Sequence, residues 1–434
     1  MIEEIQVFGQ EESEIFPDPN RPTYSTNPIV GWMWGWISLG KRRKLHAGDF
    51  CTLLNKHFGA RLAWNELSME PELDGQRIEP VFSDKLSTHL SDRGFKITSE
   101  AAVDAFIVAC QKNPYHPIKK YLLDLLANNH LFEADINTLA EEYLAIDKNH
   151  KSKSLYNRML ANCLVGAVSR VFKPGIKFDT ALILQGPQGL NKSACFKTLV
   201  GEDWFSDTTI GEGKDAYLQL HRGWVHEIQE LDHLTNKKDA GSLKGLLSSS
   251  SDTFRVPYGR NVQLFPRPSI LVGTCNRLDF LVDPTGNRRF NIISLPNQKI
   301  NLEKIEQDRD RIWKAAHLAY LNGYKCYLSP EEHAQSELNN SDFEAEHPFY
   351  SSLYEWVNKQ GSDGFSAETA LHLSGCRDRG RITAHDCKEA GNALRELGFV
   401  QDKNQKRING VKQPRLWRKS ASEASVDLAS SEAG

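Results

Sequence analysis

Lys192 and Ser193 close the run Gly186-Pro-Gln-Gly-Leu-Asn-Lys-Ser193, which follows directly on the apolar stretch Ala181-Leu-Ile-Leu184. An ammonium and a hydroxyl at the start of a helix, behind a turn holding two glycines, are the groups a chain uses to cradle a triphosphate. Backbone N–H groups of the turn and of the helix N-terminus point at the phosphates. Lys192 would reach the β and γ oxygens, and the Ser193 hydroxyl would ligate Mg²⁺. Gly186, Gln188, Gly189, Asn191, Lys192 and Ser193 are therefore the expected ATP-binding set. Asn191 stands where the last glycine before the lysine is expected. Asparagine is among the few non-glycine residues that tolerate a left-handed backbone, so the loop can still close. Taken alone, the loop could also be an ordinary strand–helix turn.

About 35 residues further on, Trp224-Val-His-Glu-Ile-Gln-Glu-Leu-Asp232 reads as a strand delivering acids to its carboxyl end. A nucleotide hydrolase needs one carboxylate for Mg²⁺ and another to orient or deprotonate the attacking water. Glu227 and Glu230 are the candidates, with Asp232 behind them, and which takes which role stays open. Solvated acids on a strand edge are the competing reading. Pro268-Ser-Ile-Leu-Val-Gly-Thr-Cys-Asn276 is a second buried-type strand ending in Thr-x-Asn. Asn276 could hydrogen-bond the γ-phosphate and the lytic water. In Asp283-Pro-Thr-Gly-Asn-Arg-Arg-Phe290, Arg288 and Arg289 are either solvated charges or cations thrust into a neighbouring subunit's nucleotide. Between these strands, Asp252–Phe265 has two extended arms around Tyr258-Gly-Arg-Asn261, the pattern of a β-hairpin. Tyr258, Arg260 and Asn261 at its tip suit the phosphates and bases of single-stranded DNA.

Helix, strand, loop and helix around residue 190 imply an α/β fold with an open sheet. The chain of 434 residues suggests two to three domains. Residues 1–44 read as a loosely ordered lead-in and 45–150 as a mostly helical N-terminal region. The ATPase domain spans 151–330, a small basic domain 345–419, and a disordered tail 420–434. Within 45–150, helices are expected over Ser99–Cys110 with Ser99 as N-cap, over about Pro117–Asn128, and over about Ile136–Ile146; Arg61–Leu67 could be a strand. In the last domain, helical Phe349–Asn358, Ser366–Leu373 and His385–Leu397 precede two arms around Asn409-Gly410, a winged-helix-like arrangement. From Cys376 to Lys419 there are 12 Lys and Arg against 5 Asp and Glu, a plausible duplex-DNA footprint on a chain whose net charge is −3. A solvated basic module that only packs on its neighbour would look the same.

Hydrophobic content of 40% and charged content of 25% are those of a globular protein. No apolar run approaches the ~18 residues that span a bilayer. The Trp-rich Ile29–Leu39 is too short and precedes its basic residues, the reverse of a signal peptide. Eight scattered cysteines without a Cys-x-x-Cys pair fit neither a zinc site nor a disulfide framework, and suggest reduced thiols in a cytoplasm.

Residues Ala181–Leu295 resemble the ATPase domain of the virulence-associated protein E-like family of phage, prophage and mobile-element proteins. The segments that carry the likeness are Gly-Pro-Gln-Gly…Lys-Ser, Glu-x-x-Glu-Leu, Arg-x-Pro-Tyr-Gly-Arg, Thr-x-Asn-Arg and Asp-Pro-Thr-Gly-Asn-Arg-Arg-Phe. Weaker similarity reaches back through Tyr115-His-Pro117 to Pro174-Gly-Ile-Lys177. The family in turn resembles superfamily 3 helicases, which are hexameric AAA+-type motors with a DNA-gripping hairpin before the sensor strand. The resemblance implies a P-loop AAA+-type core, ATP and Mg²⁺ as cofactors, a hexameric homo-oligomer, and single-stranded DNA threaded past the hairpins. Duplex origin DNA is a further partner to expect, through the basic C-terminal domain; no membrane contact is expected. The function so implied is an ATP-driven DNA helicase or translocase in replication of a phage or mobile element. Its rival is a nucleotide-dependent regulatory or defence ATPase that remodels a protein partner without unwinding DNA.

Overall fold

The computed structural model describes residues 43–78, 80–92, 94–208, 214–228, 231, 237–255, 261–281, 286–344, 349–360, 364–402, 407–408 and 411–419. Glu230, Asp232, Tyr258, Arg260, the Asn409-Gly410 turn, the tail 420–434 and nearly all of the lead-in lie outside the described residues. The chain forms two compact units. One comprises Met1–Glu230, Lys244–Thr274 and Arg288–Ser336; the other comprises Leu231–Leu243, Cys275–Asn287 and Glu337–Gly434.

Among the described residues of the first unit, two cores stand out. The N-terminal one gathers Phe50, Leu54, Leu62, Leu86 and Phe106 from the helices Ala47–Phe58, Pro80–Ser91 and Ser99–Gln111 and from a small sheet. That sheet runs Gln76–Arg77, Glu70–Leu73, Leu62–Asn65, Pro114–Tyr115, so the region is more mixed than its helical periodicity suggests. The expected strand forms at Leu62–Asn65. Thr98, not Ser99, caps the helix that follows: its side chain accepts from Ala101 N, because the residue one position earlier is the one left in extended backbone. The helix expected over Ile136–Ile146 shrinks to Leu139–Tyr143. Asp135 Oδ1 ties down Asn137 N at 2.9 Å before it, and left-handed Ala145 (φ 57°) stops it after one turn.

The larger core is organised around a five-stranded sheet. Its strands are β1 (Ala181–Gln185), β2 (Phe205–Ser206), β3 (Val225–Ile228), β4 (Ile270–Cys275) and β5 (Phe290–Ser294), in the spatial order β5-β1-β4-β3-β2. The pairs β5–β1, β4–β3 and β3–β2 run parallel. β1 and most of β4 are buried at every position, as expected of parallel strands covered on both faces. The covering helices include α1 (Lys153–Phe172), α2 (Lys192–Val200) and α4 (Leu302–Leu321), with α3 (Lys214–Arg222) leading into β3. Ile118, Leu122, Leu139 and Leu144, which sequence reasoning places ahead of the 151–330 domain, share this core.

Two indoles lock the helices to the sheet. Trp224 and Trp313 stack with ring centroids 4.0 Å apart, and their N–H groups donate to Ala167 O at 3.1 Å and Leu199 O at 2.7 Å. Both rings are thus buried without an unpaired donor. Gly166 on α1 is required by close approach, since a Cβ there would lie 2.2 Å from the Phe178 ring.

The expected hairpin has its arms at Ser251–Phe254 and Gln263–Pro266, paired antiparallel with Ser251 opposite Pro266 and Phe254 opposite Gln263. A buried ionic cluster clamps its base. Arg267 donates to both Asp252 oxygens, at 2.9 and 2.6 Å, and His221 at the end of α3 meets Asp252 Oδ2 at 3.0 Å. Burial acts to raise the Asp252 carboxyl, but the hydrogen bonds from Arg267 and His221 outweigh it and hold it below the usual value.

In the second unit, helices Tyr350–Gln360, Ala367–Leu373 and Ala384–Glu396 pack around Leu353, Leu394, Phe399 and Trp417. Phe399–Gln401 pairs antiparallel with Trp417–Lys419. Thr383 and Asp386 form a reciprocal capping box, and Gly398 (φ 79°) turns the chain into the strand. Among the described residues no helix is long and apolar enough to cross a membrane.

Candidate active site at the carboxyl edge of the sheet

The loop 186–191 leaves the carboxyl end of β1, the strand flanked by β5 and β4. Strand order reverses about β1, because β2–β4 lie on one side and β5 on the other. That is the place where open α/β sheets bind ligands. Asn191 is left-handed, at φ 65° and ψ 29°, and its amide donates to Ile300 O at 3.2 Å. The departure from glycine is thus accommodated by the backbone that asparagine tolerates. Gly189 also has positive φ, 86°, and a Cβ at Gly186 would press on Leu190 and Leu295 at 3.1 and 3.3 Å. Gln188 is exposed on the loop.

Lys192, the first residue of α2, is only 8% exposed. Its ammonium donates to Gly186 O at 2.6 Å and Pro187 O at 2.8 Å. A buried cation held by neutral carbonyls is poised to exchange them for anionic oxygens, where its Coulomb energy is larger.

Beside it, Ser193 Oγ donates to Glu227 Oε1 at 2.6 Å, and Thr274 Oγ1 donates to the same oxygen at 2.7 Å. The two hydroxyl oxygens are 3.5 Å apart. Three residues separated in sequence by 34 and 47 positions meet because β4 pairs with β3 in the register Val272↔Glu227. Thr274, two residues on from Val272, projects to the same face. Glu227 is 2% exposed, and its Oε2 has no hydrogen-bond partner among the described residues. Behind it, burial pushes the His226 imidazole down to about 4. His226 is therefore neutral near pH 7 and adds no charge to the site.

The donor set fits Mg²⁺. That ion takes oxygen ligands, keeps several waters, and needs one or two carboxylates rather than a cage. Ser193 Oγ and Glu227 supply a hydroxyl and a carboxylate with one buried oxygen still unpaired. Among the described residues no three His, Cys, Asp or Glu side chains cluster to hold a metal.

Sequence reasoning missed Thr274. Its signal was the Thr-x-Asn ending of the sensor strand, from which Asn276 was selected. It is Thr274, on β4, that reaches Glu227; Asn276 lies exposed just beyond the strand. Asn261 is exposed beside the hairpin arm, whereas Tyr258, Arg260 and Glu230 lie outside the described residues.

Arg288 and Arg289 are not brought to this cluster. They sit in a 3₁₀ turn immediately before β5, whose first residue Phe290 pairs with Ala181, the first residue of β1. They therefore lie at the amino edge of the sheet, ~17 Å from the loop along a five-residue strand. Arg288 is exposed, and Arg289 Nε donates to Ser248 Oγ at 3.0 Å.

No curated protein matches the chain. Solved structures of the NrS-1 C-terminal region are distantly similar. An apo form shares 13% identity over 69% of this chain and 76% of its own length, with a TM-score of 0.36. Two A-form apo structures share 14% identity over 70% of this chain and 75% of theirs, with TM-scores of 0.35 and 0.38. The model of the virulence-associated protein E-like domain matches residues 127–345. That span is just over half of the chain and takes in the loop, Glu227, Thr274, the hairpin and both arginines. The chain belongs to the virulence-associated protein E-like family.

Proposed function

We propose that the chain is an ATP-dependent DNA helicase or translocase acting in replication of a phage, prophage or other mobile genetic element. The observation that carries this reading is the convergence of Ser193 and Thr274 on Glu227 beside the Lys192 ammonium. ATP sits with its phosphates over the loop 186–191 and the first turn of α2, and Lys192 trades its loop carbonyls for phosphate oxygens. Ser193 and Glu227 would hold Mg²⁺, which when bound would supply positive charge against the phosphates. Thr274, positioned on Glu227, fixes the carboxylate's orientation. Glu230, three residues beyond Glu227, is the candidate for orienting the attacking water.

The core is of the P-loop AAA+ type, and the strand order β5-β1-β4-β3-β2 supports that reading. Because Arg288 and Arg289 lie at the opposite edge from their own chain's loop, they act on the ATP of a neighbouring subunit, as in a ring, most simply a hexamer. The hairpin, its base fixed by Arg267 and Asp252, presents Tyr258, Arg260 and Asn261 to single-stranded DNA. The helices and antiparallel strands of 349–419 are a winged-helix-like module for duplex DNA, consistent with the excess of 12 Lys and Arg over 5 Asp and Glu between Cys376 and Lys419.

ATP turnover with and without single-stranded DNA, on protein of measured solution mass, tests the proposal. DNA should raise turnover about tenfold in an oligomer, and the stimulation should weaken with salt. A monomer whose turnover ignores DNA would overturn it, leaving the nucleotide-dependent regulatory ATPase.

A further inference from the structure

A cavity of about 700 Å³ opens at the amino edge of the same sheet. Its walls include Lys177–Thr180, which lead into β1, Asn162 of α1, Asn291 of β5 and the loop 323–328 after α4. It lies on the far side of β1 from the phosphate loop and shares no lining residue with the Ser193–Glu227–Thr274 cluster, although Arg288 and Arg289, assigned above to a neighbouring subunit's ATP, also line it.

The unusual feature is its unpaired polarity. Asn162 is 1% exposed, yet neither its amide nitrogen nor its oxygen has a hydrogen-bond partner among the described residues. Asn291, 3% exposed, has an Oδ1 with no partner among the described residues. Each buried orphan costs about 1–3 kcal/mol unless something in the cavity satisfies it. Asn162 offers a donor and an acceptor side by side, the pattern that pairs with the edge of a nucleobase. Tyr327, also lining the cavity, is 60% exposed, leaving ring surface for stacking. Lys173 and Lys325 stand exposed on the lining and suit a phosphate. The volume is within the range of ~300–1,000 Å³ that small-molecule sites occupy.

We propose that this cavity binds a nucleoside monophosphate unit, with the base against Asn162 and Asn291 and the phosphate at Lys173 and Lys325. The unit is either a free nucleotide or the phosphorylated end of a single strand; the recognised chemistry is the same. The inference does not rest on the ATPase reading.

Equilibrium dialysis with radiolabelled dAMP tests it, using the full chain carrying Lys192→Ala so that the phosphate loop contributes least. One saturable equivalent per chain is expected. Lys173→Glu with Lys325→Glu should weaken binding at least tenfold, and Tyr327→Ala severalfold; all three positions are exposed, so the melting temperature should not move. Asn162→Leu should also abolish binding while keeping or raising the melting temperature. If that variant does not fold, the exposed variants decide the matter. Competition by a 5′-phosphorylated oligonucleotide would identify a strand end as the source, and its absence a free nucleotide. Absence of saturable dAMP binding, or binding indifferent to the lysine and tyrosine changes, would overturn the proposal.

Discussion

Ser193 Oγ lies 2.6 Å from Glu227 Oε1, so the first turn of α2 is joined to the end of β3 by a charge-assisted hydrogen bond. Thr274 reaches the same carboxylate oxygen from β4. The two contacts join the first turn of α2 to β3 and β4 at the carboxyl edge of the sheet.

Glu227→Gln should keep ATP binding and lower turnover by at least ~100-fold, because a neutral amide no longer offsets the metal's charge. Thr274→Ala should cost less, ~10-fold, since it removes one positioning hydrogen bond. Nucleotide binding and steady-state hydrolysis, measured side by side, check both.

Asn191 separates backbone from side-chain requirements. Asn191→Gly should retain near-normal nucleotide affinity, since glycine adopts φ 65° freely. Asn191→Val should lose affinity by ~10-fold or more, because a β-branched residue is strained there. Equal affinities in the two variants would mean the loop conformation is unimportant to binding.

Arg267→Ala should destabilise the fold by ~3–5 kcal/mol, because it leaves Asp252, 3% exposed, without its bidentate partner. Denaturant unfolding reads this directly. Arg267 and Asp252 fix the hairpin's base, so DNA stimulation of any surviving ATPase should fall as well.

Arg288→Ala and Arg289→Ala, each inactive alone if the arginine acts in trans, should recover partial turnover when mixed with Lys192→Ala. Some interfaces then pair an intact lysine with an intact arginine. No recovery at any ratio, with normal assembly, would place the arginines outside the active site.

The loop, the acidic strand and the sensor strand were legible because each couples a short apolar run to polar residues at its end, a local pattern. The left-handed Asn191 was legible for the same reason. Thr274 was not, since its hydrogen bond to a carboxylate 47 residues away depends on the register of β4 against β3. The small N-terminal sheet was hidden by its length, with strands of two to four residues such as Gln76–Arg77 and Glu70–Leu73. The Asp252–Arg267–His221 clamp was invisible too, because burial, not spacing, gives those three charges their meaning.

The most direct test of the central claim is steady-state ATP hydrolysis with Mg²⁺ by the wild-type chain and by Lys192→Ala. The lysine is buried against the loop carbonyls, whereas Ser193, Glu227 and Thr274 are joined by their own hydrogen bonds, so its loss should remove phosphate binding. The account predicts Mg²⁺-dependent turnover in the wild type and a fall of at least ~100-fold in the variant, with an unchanged far-ultraviolet spectrum. Equal turnover in the two proteins would contradict it and leave the loop a structural turn.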